Sequence, residues 1–261
     1  MSRLPTVFIS HGAPTLPIDP SMPAAEFASF ATRFPRPRSI LMLSAHWGTT
    51  QPVASIATQP ETVHDFYGFP RELYEIHYPA PGAPELGEQA AKMLSAAGIA
   101  AAVTEHGLDH GAWVPLLLMF PNAEIPVAQL SIQPRLDPTH HYRVGRALRA
   151  LREDGVMIVG SGQITHNLRA ADFSARPEDG DPRVIEFTGW FEEKLAQRDI
   201  EALLDYRARA PHAVLMHPTD EHLLPIFGAL GAASSDFALD IQSLGTFHKT
   251  LAMTNYVFGD E

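Results

Sequence analysis

The sequence predicts an α/β protein: a three-layer α/β/α arrangement around a central, mostly parallel or mixed sheet, in a single domain over residues 1–261. Three observations predict it. Short apolar runs recur, each closed by turn residues. Helical apolar stripes lie between them. No repeat, low-complexity tract or linker divides the chain. Strands that alternate with helices pack most simply as a sheet covered on both faces.

The strands come first. Residues 6–10 (TVFIS) stop at His11-Gly12, and residues 39–44 (SILMLS) stop at Ala45-His46-Trp47-Gly48. Residues 125–132 (IPVAQLSI) end before Gln133-Pro134, and residues 156–160 (VMIVG) run into Ser161-Gly162. Near-continuous apolar runs of this length mark strands buried on both faces. Leu86, Ala90, Met93, Leu94 and Ala97 recur at helical spacing, with Gly98 as the stop. Val144, Ala147, Leu148 and Leu151 form a second stripe, and Ile185, Trp190, Phe191 and Leu195 a third. Residues 172–182, rich in Asp, Pro and Gly, read as a surface loop. The proline-rich stretch 51–84 reads as a long irregular connection, a common place for function.

Composition narrows the chemistry. With 45% apolar residues in 261, a sizeable core can form. The absence of cysteine rules out disulfides, thiolate metal sites and a cysteine nucleophile, so any metal must be held by nitrogen and oxygen. A net charge of −11 argues against nucleic acid as a partner, because phosphates need a basic face. No apolar run reaches the ~18 residues of a membrane span, and MSRLPTVFIS is too short for a signal peptide; a cytoplasmic location is the default expectation. Homo-oligomerisation stays open. No Walker loop, dinucleotide fingerprint or nucleophile elbow is present.

Histidine placement carries the functional signal. In α/β sheets, ligands bind beyond the carboxyl ends of the strands. His11, His46 and His166 all follow strand-like runs, the first two beside glycines that let backbone approach a ligand. A lone histidine there is more often a structural hydrogen-bonder; three on one rim suggest a metal. Two further clusters stand out. Residues 105–111 (EHGLDHG) precede an apolar run and read as a polar loop capping a buried helix, with His110 the better candidate for a ligand or substrate role. In residues 217–222 (HPTDEH), Thr219 is expected to N-cap the next helix, placing His222 at its start, while Pro225 limits how early that helix begins. His64 and Tyr67, in HDFYGFP, suit a wall that stacks on an aromatic ligand, with Phe66 and Phe69 pinning the loop to the core. His77, His140, His141, His212 and His248 read as ordinary surface or core residues.

The ordered segments SHGAPTL, SAHWGT, HDFYGFP, LDHGAWVPL, GSGQITHNL and HPTDEHLLP resemble the class III extradiol ring-cleavage dioxygenases of the DODA type, the 4,5-DOPA dioxygenase extradiol-like proteins. The resemblance runs from about residue 5 to about residue 255. It implies one extradiol-dioxygenase-like catalytic domain with a mononuclear Fe(II). That iron would use O2 to open the ring of a catechol, a small aromatic diol. By the resemblance His11, His46 and His222 are metal ligands, His166 is the acid/base and His110 lines the substrate pocket. The third ligand is a glutamate in some relatives, so Glu221 and His217 stand as alternatives to His222. Three neutral imidazoles also suit Zn2+, which leaves two other readings open: a zinc-dependent hydrolase on the same scaffold, and a non-catalytic metal-binding protein.

Overall fold

The computed structural model describes residues 3–176 and 179–260. Pro177 and Glu178, within the loop expected at 172–182, lie outside the described residues. The chain runs β1 (Thr6–Ser10), α1 (Ala24–Ala31), β2 (Ser39–Gly48), β3 (Val53–Ser55), α2 (Pro84–Ala96), β4 (Ala102–Thr104) and α3 (His110–Met119). It continues β5 (Val127–Ile132), α4 (Pro138–Leu148), β6 (Val156–Gly162), α5 (Pro182–Ala196), α6 (Ile200–Leu204), α7 (Tyr206–Arg209), α8 (Ala213–Met216), α9 (Leu224–Ala232), β7 (Ala238–Phe247) and β8 (Leu251–Gly259).

These strands form one mixed sheet in the order β4-β3-β5-β2-β6-β1-β8-β7. Its centre, β5-β2-β6-β1, is parallel, while β3 against β5, β8 against β1 and β7 against β8 are antiparallel. Alternate residues serve opposite faces. Val7 and Ile9 join one hydrophobic cluster while Phe8 joins another; Ile40 and Met42 face one side while Leu41 and Leu43 face the other. That two-sided burial is why the central strands read as unbroken apolar runs. Helices α1 and α3 cover one face, and α2, α4 and α9 cover the other. The expected three-layer α/β architecture is what the chain adopts.

Two sequence expectations need correction here, and one pair of strands went unpredicted. β2 runs four residues past Ser44, so His46 sits inside the strand, after its pairing with β5 becomes irregular. Helix α5 buries Val184, Phe187, Phe191 and Leu195, while Ile185 is 71% exposed. The apolar stripe starts one residue earlier than read, and one residue is about 100° of helix rotation. The hairpin β7–β8 escaped the sequence reading because edge strand β7 (ALDIQSLGTF) alternates imperfectly and stays largely exposed.

The helical layer packs tightly where side chains are absent. A Cβ at Gly145 of α4 would lie 2.0 Å from the Gly228 carbonyl oxygen of α9, and one at Gly231 would lie 2.1 Å from that of Tyr142. Close backbone contact seats α9 firmly beside β6, and α9 follows directly on His222.

His141 of α4 is buried, and its Nε2 accepts the Gln133 N–H at 3.1 Å while Nδ1–H donates to the Asp137 carbonyl at 2.9 Å. Burial is the main cause that pushes its pKa down to about 4. The unfolded chain protonates this imidazole near 6.5, so stability is full above that pH and falls as pH drops from about 6.5 to about 4. In His141→Gln the slope of unfolding free energy against pH across this window becomes shallower, by up to about 3 kcal/mol in total. Urea melts at a series of pH values measure it; an unchanged slope would contradict the assignment.

Candidate metal centre

Parallel pairing of β1 and β2 with β6 brings their carboxyl ends to one rim. His11 follows β1, and its backbone N–H donates to the Gly162 carbonyl at 3.0 Å. Its ring Nδ1 lies 2.9 Å from Ser161 Oγ. The Ser161 hydroxyl donates its own proton to the Gly111 carbonyl, so its oxygen is the acceptor for His11. The His11 proton is therefore on Nδ1, and Nε2 is bare. His46 turns Nδ1 toward the Asp65 carboxylate, 3.6 Å away, which favours the same tautomer.

The Nε2 atoms of the two rings face each other at 3.1 Å. An N–H···N bond between them would require His46 to give up the proton beside Asp65. Lone pairs at this distance repel unless a cation lies between them. Two metal–nitrogen bonds of about 2.1 Å meeting near 95° span about 3.1 Å. The donor pair therefore fits a transition metal.

His222 supplies the third nitrogen; one ligand atom from each of His11, His46 and His222 lies within 4.8 Å of the others. A bare α-carbon makes room for it. A Cβ at Gly162 would lie 2.0 Å from the His222 carbonyl oxygen, to which Gln163 N–H donates at 2.9 Å. The expected Thr219 N-cap does not form. Thr219 instead donates to Glu221 Oε1, Asp220 accepts from Tyr206 and Arg207, and α9 starts at Leu224 with Pro225 in its first turn. Asp220 is fixed in that turn by charge-assisted hydrogen bonds from a buried tyrosine hydroxyl and a guanidinium.

Burial keeps these imidazoles neutral, and the neighbouring histidines add to it. The pKa values of His11 and His222 lie well below the usual range, and that of His46 falls to about 3. Neutral imidazole is the form a metal requires.

His166 stacks on His222 with ring centres 3.5 Å apart, and burial lowers its pKa to about 4. His110 opens α3, and Asp65 clamps it twice, accepting from its backbone N–H at 2.9 Å and from Nδ1 at 3.0 Å. Burial opposes the Asp65 charge, but the His110 hydrogen bond outweighs it and the pKa settles at about 2. Asp109, the N-cap of α3, accepts from Ala112 N–H and from Ser44 Oγ, and Ser44 Oγ in turn accepts the His46 N–H. Burial raises the Asp109 pKa to about 6.

A cavity of about 490 Å³ opens over this cluster, and His11, His46, His110, His166 and His222 all line it. His64 and Tyr67 do not. The His64 ring donates to the Ile76 carbonyl at 3.1 Å and packs against Trp113, while Tyr67 is 90% exposed. Phe66 and Phe69, for which pinning the loop is at least as strong a reading as lining a wall, do line the cavity. Among the alternative third ligands, Glu221 Oε1 lies 3.4 Å from His222 Nδ1. His217 is directed elsewhere, donating Nε2–H to the Ile164 carbonyl. Sequence reasoning missed Asp65, Ser161 and His248. Asp65 and Ser161 sit inside quoted motifs, whereas His248, which lines the cavity mouth, carried no local signal.

The match to a known family follows this geometry. Residues 5–259 match the model of the catalytic LigB subunit of aromatic ring-opening dioxygenase. The chain belongs to this family of oxidoreductases. It is 43% identical to 4,5-DOPA dioxygenase extradiol of Beta vulgaris, covering 88% of this chain and 87% of the relative. The protein of the same name from Escherichia coli K12 is 33% identical, with 99% and 96% covered. A crystal structure of an uncharacterized Escherichia coli K12 protein superposes with a TM-score of 0.82 at 29% identity, covering 98% of this chain and 100% of that one. Among the described residues, no helix is long and apolar enough to cross a membrane.

Metal titration into stripped protein should separate these roles. Ser161→Ala, which frees the His11 ring, lowers affinity for Zn2+ or Fe(II) by about 10–100-fold. Gly162→Ala, which displaces His222, lowers it by a similar factor, and His64→Ala leaves it within about two-fold. Equal losses in all three variants would contradict the geometry.

Proposed function

We propose that this protein is a non-haem Fe(II)-dependent extradiol dioxygenase that uses O2 to open the ring of a catechol. One observation carries the reading: the Nε2 atoms of two buried imidazoles meet 3.1 Å apart in a cavity sized for a substituted aromatic ring. Membership of the ring-opening family and the names of the relatives support it.

In this reading His11, His46 and His222 hold the iron. Bound iron would lower the pKa of the catechol hydroxyls and bring diol and O2 together. The protein does the rest. His166, neutral at pH 7, takes a phenolic proton and returns it as the ring opens. His110 has its Nδ1 proton committed to Asp65, so its Nε2 accepts a hydrogen bond from substrate. Phe66 and Phe69 exclude water and flank the ring.

The test loads stripped protein with Fe(II) under anaerobic conditions, adds catechols including DOPA and caffeate, and admits O2. A visible-absorbing product should form with equimolar O2 uptake. His166→Ala lowers kcat by about 10²–10⁴-fold while metal content is retained. No O2 uptake with any catechol would falsify the reading. The all-imidazole donor set favours one second reading, a Zn2+-dependent hydrolase with His166 as general base. Ester or amide hydrolysis by the zinc form, indifferent to O2, would select it.

A further inference from the structure

We propose that the cavity selects catechols bearing an uncharged, apolar alkyl or aryl substituent over those bearing an amino acid or a carboxylate. The inference rests on the reading above, in which the diol sits on the metal at the cavity floor. A substituent on the far edge of the ring then points away from the metal toward the mouth.

Of the apolar lining, Phe69, Leu168, Phe173, Phe247 and Leu251 are exposed or half-buried and form the mouth, while Met22 is buried behind them. Phe173 is 66% exposed and Leu168 55%, so two large apolar side chains on the lip remain in water. They gain burial only when something apolar lies across them. The cavity, about 490 Å³, leaves much of its space beyond a bare catechol.

Polar groups at the mouth are few and partly committed. Among the described residues, no lysine or arginine lines the cavity, so no permanent cation is there to pair with a substrate carboxylate. The carboxylate that does line it, Asp19, repels an anion; its Oδ1 already accepts from Ser21 N–H at 2.9 Å and Ser21 Oγ at 2.7 Å. His248 packs its ring on Phe173, with centres 4.6 Å apart. Its backbone is left-handed (φ 49°), and its carbonyl accepts the Asp172 N–H at 3.0 Å, which ties the hairpin turn to the segment carrying Phe173. A zwitterionic side chain would lose hydration against these walls and recover little of it. An alkyl or aryl group loses nothing and covers both lip residues.

The experiment is calorimetric titration of Fe(II)-loaded protein under strict anaerobiosis, where no turnover occurs. The ligands are catechol, 4-ethylcatechol, 4-butylcatechol, 4-phenylcatechol, 3-(3,4-dihydroxyphenyl)propionate and DOPA. Affinity is expected to rise about four-fold for each added methylene. 4-Butylcatechol should bind at least about ten-fold tighter than the propionate or DOPA. Phe173→Ala, at an exposed position that does not threaten folding, should narrow the ratio between 4-phenylcatechol and DOPA about five-fold, and Phe173→Leu should restore most of it. Equal or tighter binding of DOPA or the propionate overturns the proposal. So does a Phe173→Ala variant that weakens DOPA as much as 4-phenylcatechol. Admitting O2 afterwards tests the reaction separately. Apolar-selective binding without ring opening refutes the dioxygenase reading and supports the selectivity; ring opening with DOPA bound best does the reverse.

Discussion

Two imidazole nitrogens held 3.1 Å apart, with their ring protons drawn to the far side of each ring, are an unfavourable arrangement, and much of the surrounding structure maintains it. Ser161 fixes one tautomer and Asp65 favours the other. Each of these groups is held in turn. Ser161 is committed to the Gly111 carbonyl, and Asp65 is anchored by the backbone and ring of His110. Removing water from around the rings keeps them neutral, so the burial that forms the core also leaves them in the form a metal would need.

The sheet explains why these residues meet. β6 lies between β1 and β2, and all three run parallel. Their carboxyl ends therefore deliver His11, His46 and the Ser161–Gln163 turn to one place. That turn acts as a hub: Ser161 orients His11, while Gly162 and Gln163 admit and bind the His222 backbone. Helix α3 closes the opposite side and brings His110 and Asp109. A site on strand ends and helix starts is rigid because its backbone hydrogen bonds are already spent on the fold.

Much of this was legible in the sequence where the signal was local. The buried central strands announced themselves by unbroken apolar runs, and His11 and His46 by their position at the ends of those runs. Other features depended on distant partners. Asp65 gains its role only because α3 places His110 against it, some 45 residues later. The exchange between Tyr67 and Phe66 turned on which face of an irregular loop points inward, and a loop has no periodicity to reveal that. Thr219 looked like a helix cap by composition, but Tyr206 and Arg207 claim the adjacent Asp220 and the turn forms differently. β7 is an edge strand, and its exposed faces erase the pattern that would mark it.

The order of strands also has a consequence for how the molecule is made. β1 emerges first from synthesis, yet both its neighbours, β6 and β8, come from the second half of the chain. His11 has no Ser161 to orient it, and no His222 beside it, until most of the sequence exists. Contacts this distant in sequence are slow to form. A nascent chain thus carries its histidines well before it brings them together, and completion of the candidate site belongs to the last stage of folding rather than to its beginning.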